Sequence, residues 1–153
     1  FNYISKSILI KFNFDFFNEN ALQKAANNNQ TEVIYYLLSK EKVIKIESFK
    51  KIDDLSRIAI PNSITTIGDR SFIDCSFLLE IVIPPSVIAI GNNAFRGCSS
   101  LKEVIIPSSV TFLGRSAFFI CSLLAHVTIS PLISSLQSYT FYECMSIKQI
   151  SIP

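Results

Sequence analysis

Residues 81–103 read IVIPPSVIAIGNNAFRGCSSLKE, and this stretch decides the fold because its pattern recurs along the chain. The clearest marker is cysteine, which returns at one constant spacing, at Cys75, Cys98, Cys121 and Cys144. At this spacing the later part of the chain divides into four units and the start of a fifth, at residues 58–80, 81–103, 104–126, 127–149 and 150–153. A fixed 23-residue period is typical of a solenoid, in which one supersecondary unit is stacked many times.

Each unit opens with a short run in which apolar and variable residues alternate. Ile81 and Ile83 illustrate the apolar first and third positions of the run, and Pro84 follows them. This alternation predicts a short strand with one buried face, ended by a residue that cannot donate to a β-ladder. Because one such strand opens every unit, the strands are expected to stack in parallel.

The second half of each unit predicts a corner and a packed core. Glycine follows a second extended segment in three units, and we expect a positive φ at Gly68, Gly91 and Gly114. Gln137 replaces this glycine in the fourth unit, which we therefore expect to be the loosest. A phenylalanine then stands at the same position of every unit, at Phe72, Phe95, Phe118 and Phe141. These rings are expected to stack inside the solenoid, about 4.8 Å apart.

The motifs of these units resemble the BspA-like leucine-rich repeats. The segments 78–84 and 101–107 have the form Leu-x-x-Ile/Val-x-Ile-Pro, and residues 90–98 read Ile-Gly-x-x-Ala-Phe-x-Gly-Cys. The resemblance covers residues 43–153, of which residues 43–57 are expected to form a capping coil. It implies a solenoid of parallel β-stranded coils and, for the family, roles in binding, adhesion or as surface antigens.

The N-terminal part of the chain has a different pattern. Residues 20–40 (NALQKAANNNQTEVIYYLLSK) carry apolar residues at helical spacing on both sides of a polar turn, which predicts two short antiparallel helices. Thr31 is expected to cap the second helix. The segment resembles an ankyrin repeat, with the paired alanines Ala25 and Ala26 in its first helix. The predicted fold is therefore a repeat solenoid preceded by an ankyrin-like α-helical hairpin at residues 1–42, with 1–11 as the tail of a preceding unit.

The composition argues against catalysis and against nucleic-acid binding. Fourteen basic and 12 acidic residues leave a net charge of only +2, so no strong field of one sign is expected. His126 is the only histidine of the chain, no Gly-rich phosphate loop occurs, and the acidic residues are scattered. The longest apolar runs fall far short of the roughly 18 residues of a membrane-spanning helix. We predict a non-catalytic protein with no transmembrane segment in these residues.

The four cysteines raise the alternatives of a zinc site or of disulfides. Equal spacing places one thiol in the inward column of each coil rather than four around one ion, so we expect buried, reduced thiols, no metal and no cofactor. Neighbouring coils bring α-carbons within the bridging range of roughly 4.4–6.8 Å, so a disulfide between coils stays geometrically open.

The variable outward positions of the strands form the candidate binding surface. Its central column holds Ala59, Val82, Ile105 and Thr128. The flanking positions hold Leu79, Lys102, Glu103, Ala125, His126 and Lys148. Variable residues on a regular sheet are how solenoids present a recognition surface, although variation also follows where nothing constrains a position. A second candidate surface is the outer column of Arg96, Phe119 and Tyr142.

These observations predict a non-catalytic module that binds a protein ligand. One hypothesis is an intracellular or membrane-associated repeat scaffold, and the ankyrin-like segment and the reduced cysteines favour a cytoplasmic location for it. The alternative, implied by the resemblance to the BspA-like repeats, is a cell-surface adhesin or surface antigen.

Overall fold

The computed structural model describes residues 25–26, 28, 30–44, 49 and 55–153. Within them lie one complete helix, α1 (Thr31–Leu38), and nine short strands. The strands are β1 (Val43–Ile44), β2 (Arg57–Ala59), β3 (Thr66–Ile67), β4 (Glu80–Val82), β5 (Ala89–Ile90), β6 (Glu103–Ile105), β7 (Phe112–Leu113), β8 (His126–Thr128) and β9 (Gln149–Ser151).

The strands build two faces of a parallel solenoid. The first face contains the pair β2–β4 and the three-stranded sheet β6–β8–β9, while the second face is the four-stranded sheet β1–β3–β5–β7. Every pair is parallel and joins residues one period apart, as Ile58 joins Ile81 and Ile67 joins Ile90. The coil length predicted from the repeat is therefore confirmed.

The first face is interrupted between the second and third coils. Of the strands that the structure describes there, β4 and β6 are neighbours that do not pair. The inward residues Ile81 and Ile83 are each 8% exposed, whereas Val104 and Ile106 of the next coil are each 1% exposed. The small extra exposure indicates that the coils are slightly separated at this point.

A stack of phenylalanine rings fills the interior. Successive centroids are 4.7, 5.1, 5.1 and 5.5 Å apart, and the ring planes lie within 11° of parallel. The stack runs through Phe49, Phe72, Phe95, Phe118 and Phe141. The predicted phenylalanine core is confirmed, and Phe49 adds the ring of the capping coil.

The corners differ from the prediction. Gly97 alone among the four glycines has a positive φ, so the left-handed conformation expected at Gly68, Gly91 and Gly114 is wrong. The reason for glycine at two of these positions is close packing between coils. A Cβ on Gly91 would lie 2.6 Å from the backbone nitrogen of Asp69, and one on Gly114 would lie 2.5 Å from that of Asn92.

The left-handed residues lie further along each corner, and they too recur once in each coil. One set is Arg70, Asn93, Ser116 and Tyr139, and the other is Asp74, Gly97, Ile120 and Glu143. Each coil thus turns through two left-handed residues. Of the eight residues in the two sets, only Gly97 is a glycine.

The fourth coil departs from the others on the second face. In the described chain β7 is the last strand of that sheet, and no strand forms at Leu136. Leu136 is 50% exposed, whereas Leu113, one period earlier, is 1% exposed. This agrees with the loose fourth coil that Gln137 predicts.

The ankyrin-like hairpin is not shown. Helix α1 is present, and Ala25 and Ala26 are helical and fully buried, but the rest of the predicted first helix and residues 1–11 lie outside the described residues. The cap is also corrected, because Gln30 rather than Thr31 is the N-cap residue and its side chain makes no capping hydrogen bond. The Ser63 hydroxyl donates to the carbonyl of Leu38 at 3.2 Å, which ties the helix end to the first full coil.

Candidate recognition surfaces

The first face presents apolar side chains to solvent at its centre. Val82 is 64% exposed and Ile105 is 59% exposed, because each is the third residue of a strand whose middle residue is buried. Ala59 is exposed in the same column, while Thr128 is half-buried and its hydroxyl lies 3.2 Å from that of Ser151. We name the column 59, 82, 105, 128 and its flanking residues the strand face.

Charged and polar side chains border this apolar column. The predicted residues Lys102, Glu103, His126 and Lys148 are exposed. Leu79 is 40% exposed and Ala125 is half-buried. The structure therefore brings all ten predicted residues to one face, with Ala125 and Thr128 the least accessible.

Two features of this border were missed from the sequence. Arg57 donates to Glu80 at 2.9 Å across adjacent coils, and the signal was available, since the two residues are one period apart. Both side chains are mostly exposed, so the pair contributes little stability. Phe77, which precedes the strand face in its coil, is 58% exposed. Its position is occupied by different residue types in the four coils, which is typical of an outward-facing position.

The cysteine column is part of the interior and carries a hydrogen-bond ladder. Each thiol donates to the carbonyl oxygen of the phenylalanine 26 residues earlier, at 2.7 Å from Cys75, 3.2 Å from Cys98, 3.2 Å from Cys121 and 3.0 Å from Cys144. All four thiols are buried and none forms a disulfide, so the predicted burial is confirmed. The ladder itself was not foreseen.

The electrostatics of the thiols follow from this burial. Desolvation raises the pKa of Cys98 well above its ordinary value. At the last coil, the interaction with the neighbouring Cys121 side chain lowers the pKa of Cys144. In the described part of the chain, no three His, Cys, Asp or Glu side chains come together as metal ligands.

A second surface lies in the turns that lead from the second face to the next strand of the first. The Arg96 guanidinium lies over the Phe119 ring at 4.8 Å, and Phe119 stacks on Tyr142 at 5.5 Å. Tyr142 meets Tyr139 edge to face at 5.6 Å, and the Arg115 guanidinium lies 5.4 Å over Tyr139. We name these five residues the outer cluster. The sequence pointed to Arg96, Phe119 and Tyr142 but not to Arg115 and Tyr139.

The backbone beneath the outer cluster is held by a side-chain ladder. The Asn92 N–H donates to the Asp69 carboxylate at 2.7 Å, and the Arg115 N–H donates to the Asn92 side-chain oxygen at 2.9 Å. Hydrogen bonds across the corners join Gly97 to Phe119 and Ile120 to Tyr142, at 2.8 and 2.9 Å. The cluster therefore stands on turns that are tied from coil to coil.

Solved structures of bacterial proteins share this fold. A leucine rich cell surface protein from Faecalibacterium prausnitzii is 26% identical with a TM-score of 0.69, over 72% of this chain and 29% of that one. The pneumococcal vaccine antigen PcpA is 30% identical with a TM-score of 0.64, over 78% of this chain and 32% of that one. A leucine-rich repeat protein from Bacteroides ovatus is 30% identical with a TM-score of 0.53, over 71% of this chain and 34% of that one. The chain thus spans about a third of the length of these proteins.

The comparisons also bear on the predicted location and on the N-terminal segment. One neighbour is named a cell surface protein and another a vaccine antigen, so the predicted preference for the cytoplasm is not supported. Across the described residues, no helix combines the length and apolar character needed to cross a bilayer. No curated protein matches the chain.

The family is shown by the repeats themselves. The sequence profile described as the BspA type leucine rich repeat region matches six copies over residues 42–153. The match gives no support to an ankyrin-like repeat in the segment before it, where that repeat stays a prediction. The chain belongs to the BspA-type leucine-rich repeat family.

Proposed function

We propose that the chain is a non-catalytic recognition module of a cell-surface protein, and that it binds a protein partner through the strand face. The observation that carries the proposal is the pair Val82 and Ile105, two apolar side chains about 60% exposed on adjacent coils of the solenoid. Members of this family are typically non-catalytic interaction modules. Structural neighbours named as a cell surface protein and a vaccine antigen support the cell-surface location.

The arrangement of the strand face suits a protein partner. Interfaces combine an apolar centre, depleted of charge, with a polar rim that stays accessible to water. Here Val82 and Ile105 are the centre, and Lys102, Glu103 and His126 belong to the rim. β4 and β6 do not pair, but backbone hydrogen bonds on the second face and at the corners join their two coils. Binding would therefore order few additional groups, which favours affinity.

The test of the strand face is a pair of matched double variants of the full-length protein. Val82→Glu with Ile105→Glu places two charges at the apolar centre, whereas Ile88→Glu with Phe112→Glu does the same on the second face, at residues 52% and 45% exposed. Wild type and both variants are immobilised, surface proteins of intact cells are cross-linked to them, and the captured proteins are quantified by mass spectrometry.

We expect some captured proteins to be retained by the second-face variant and lost from the strand-face variant, with both variants melting like wild type. Loss from both variants alike would contradict a specific strand face. Unfolding of the strand-face variant alone would show that Val82 and Ile105 do not point outward.

The cellular location is tested separately by antibody labelling of the native full-length protein. Labelling of intact cells is the expected result and would direct the search to extracellular partners. Labelling only after permeabilisation would overturn the surface location and favour the intracellular scaffold, whose partners are cytosolic.

A further inference from the structure

We propose that the outer cluster is a second docking surface, separate from the strand face, and that its occupant is an acidic polypeptide segment. The cluster consists of Arg96, Arg115, Phe119, Tyr139 and Tyr142, which come from three successive coils. An unbroken series of ring and guanidinium contacts of 4.8–5.6 Å joins all five side chains.

The two guanidinium groups are positioned but not neutralised. Each lies over an aromatic ring, Arg96 over Phe119 and Arg115 over Tyr139, so the ring supports the flat face of the cation. Stacking of this kind leaves the edge of the guanidinium, with its forked N–H donors, free to bind a carboxylate with two hydrogen bonds. Both arginines are exposed, and neither is ion-paired with a described carboxylate.

The aromatic part of the cluster is accessible at the same place. Tyr139 is 51% exposed and Tyr142 is 52% exposed, although each already contacts another ring. Rings that are stacked on neighbours have lost most of their freedom before a partner arrives, so their burial by a ligand is less opposed by entropy. Tyrosine and arginine are also the residue types that dominate the binding energy of protein interfaces.

Together these features select the chemistry of the occupant. Its carboxylates would meet the edges of Arg96 and Arg115, one coil apart, and an apolar or aromatic side chain between them would cover Tyr139 and Tyr142. The net charge of +2 over the whole chain does not oppose the approach of such a segment. A basic partner would instead bring its cations against two uncompensated guanidinium groups.

The probe is a random copolymer of glutamate and tyrosine, labelled with a fluorophore and titrated with the full chain while anisotropy is recorded. We compare the double variant Arg96→Gln with Arg115→Gln against the double variant Lys40→Gln with Lys42→Gln, which loses the same charge at exposed residues outside both the outer cluster and the strand face. A third variant, Arg96→Lys with Arg115→Lys, keeps the charge but loses the planar fork. Thermal melts establish that each variant folds.

We expect the Arg→Gln and Arg→Lys variants to bind the copolymer at least about tenfold more weakly than wild type, and the Lys→Gln variant to bind like wild type. If the two Gln variants bind the copolymer equally weakly, only the net charge of the chain matters, and the proposal is overturned. Full binding by the Arg→Lys variant would overturn it too, as would no binding by wild type up to about 1 mM. Tighter binding of heparin or of phosphatidylserine vesicles than of the copolymer would also overturn it, in favour of a polysaccharide or a membrane.

Discussion

Among the left-handed residues in the described part of the chain, Ile120 is the one whose side chain is branched at Cβ and apolar, so it suits this conformation least. Its φ is 58°, in the left-handed region, where a side chain branched at Cβ meets the backbone. The equivalent residue one coil earlier is Gly97, with a φ of 75°, so the corner accepts glycine at this position without change. The strain persists because the hydrogen bond from Ile120 to Tyr142 and its neighbours hold the corner.

Replacing this residue should stabilise the protein. The left-handed conformation costs roughly 1–2 kcal/mol for a residue with a Cβ, and glycine avoids this cost. Part of the resulting gain in stability is lost, because glycine also raises the conformational entropy of the unfolded chain. We expect Ile120→Gly to raise the free energy of unfolding by about 0.5–1 kcal/mol, measured by chemical denaturation. The control is Ile88→Gly, at an exposed isoleucine with an ordinary φ, which should destabilise. Equal destabilisation by both substitutions would show that the half-buried Ile120 side chain contributes more than its strain costs.

Glycine shows what a single sequence leaves undetermined at the residue scale. Periodic glycines indicate corners, but the same residue serves two purposes, a positive φ or the absence of a Cβ. Gly91 and Gly114 serve the second purpose, because the backbone of the preceding coil lies against each of them. The distance between coils is a property of the stack, so no local pattern around Gly91 reports it.

At the scale of the element, the phenylalanine stack connects each coil to the next. Phe95 is fully buried between Phe72 and Phe118, with centroids 5.1 Å from each. Its carbonyl oxygen also accepts the thiol of Cys121 at 3.2 Å, so the ring column and the cysteine ladder share one residue per coil.

Truncation of this ring should therefore be costly. We expect Phe95→Ala to lower the free energy of unfolding by about 3–5 kcal/mol, from lost burial and from the cavity between two remaining rings. Denaturant titration measures the loss, with Phe77→Ala as the control, because Phe77 is 58% exposed and its truncation should change stability by less than about 0.5 kcal/mol. An unchanged midpoint for Phe95→Ala would contradict its place in the core.

Some features of the strands and of the helix follow from residues at equivalent positions of the repeat, and others do not. Ile81 and Phe95 were placed correctly because uniform apolar columns leave one register in which every inward residue stays buried. The break between β4 and β6 was not predictable, since both strands carry the same pattern as their neighbours. The cap of α1 was misassigned because Thr31 has the right chemistry one residue too late, and the backbone turns at Gln30.

For the whole molecule, the candidate surfaces follow the same division. Alternation along the strands places Val82 and Ile105 outward, so the strand face could be predicted from the sequence. In the outer cluster, Arg96 and Phe119 share a column and could be paired by eye. The contact of Arg115 with Tyr139 joins two different columns, and only the geometry of the corner brings them together.

The whole molecule should also tolerate the loss of one period. Deleting residues 81–103 joins Glu80 to Val104 and stacks Phe72 on Phe118 with every column kept, since a solenoid is stabilised by each coil and its nearest neighbours. We expect this shortened chain to melt cooperatively at a lower temperature, with the circular dichroism per residue of the parent. Deleting only residues 81–91 removes a shorter segment but places Asn92 where a strand should begin, so it should unfold the later coils. Equal melting of the two deletions would show that the register of one full coil does not determine the fold.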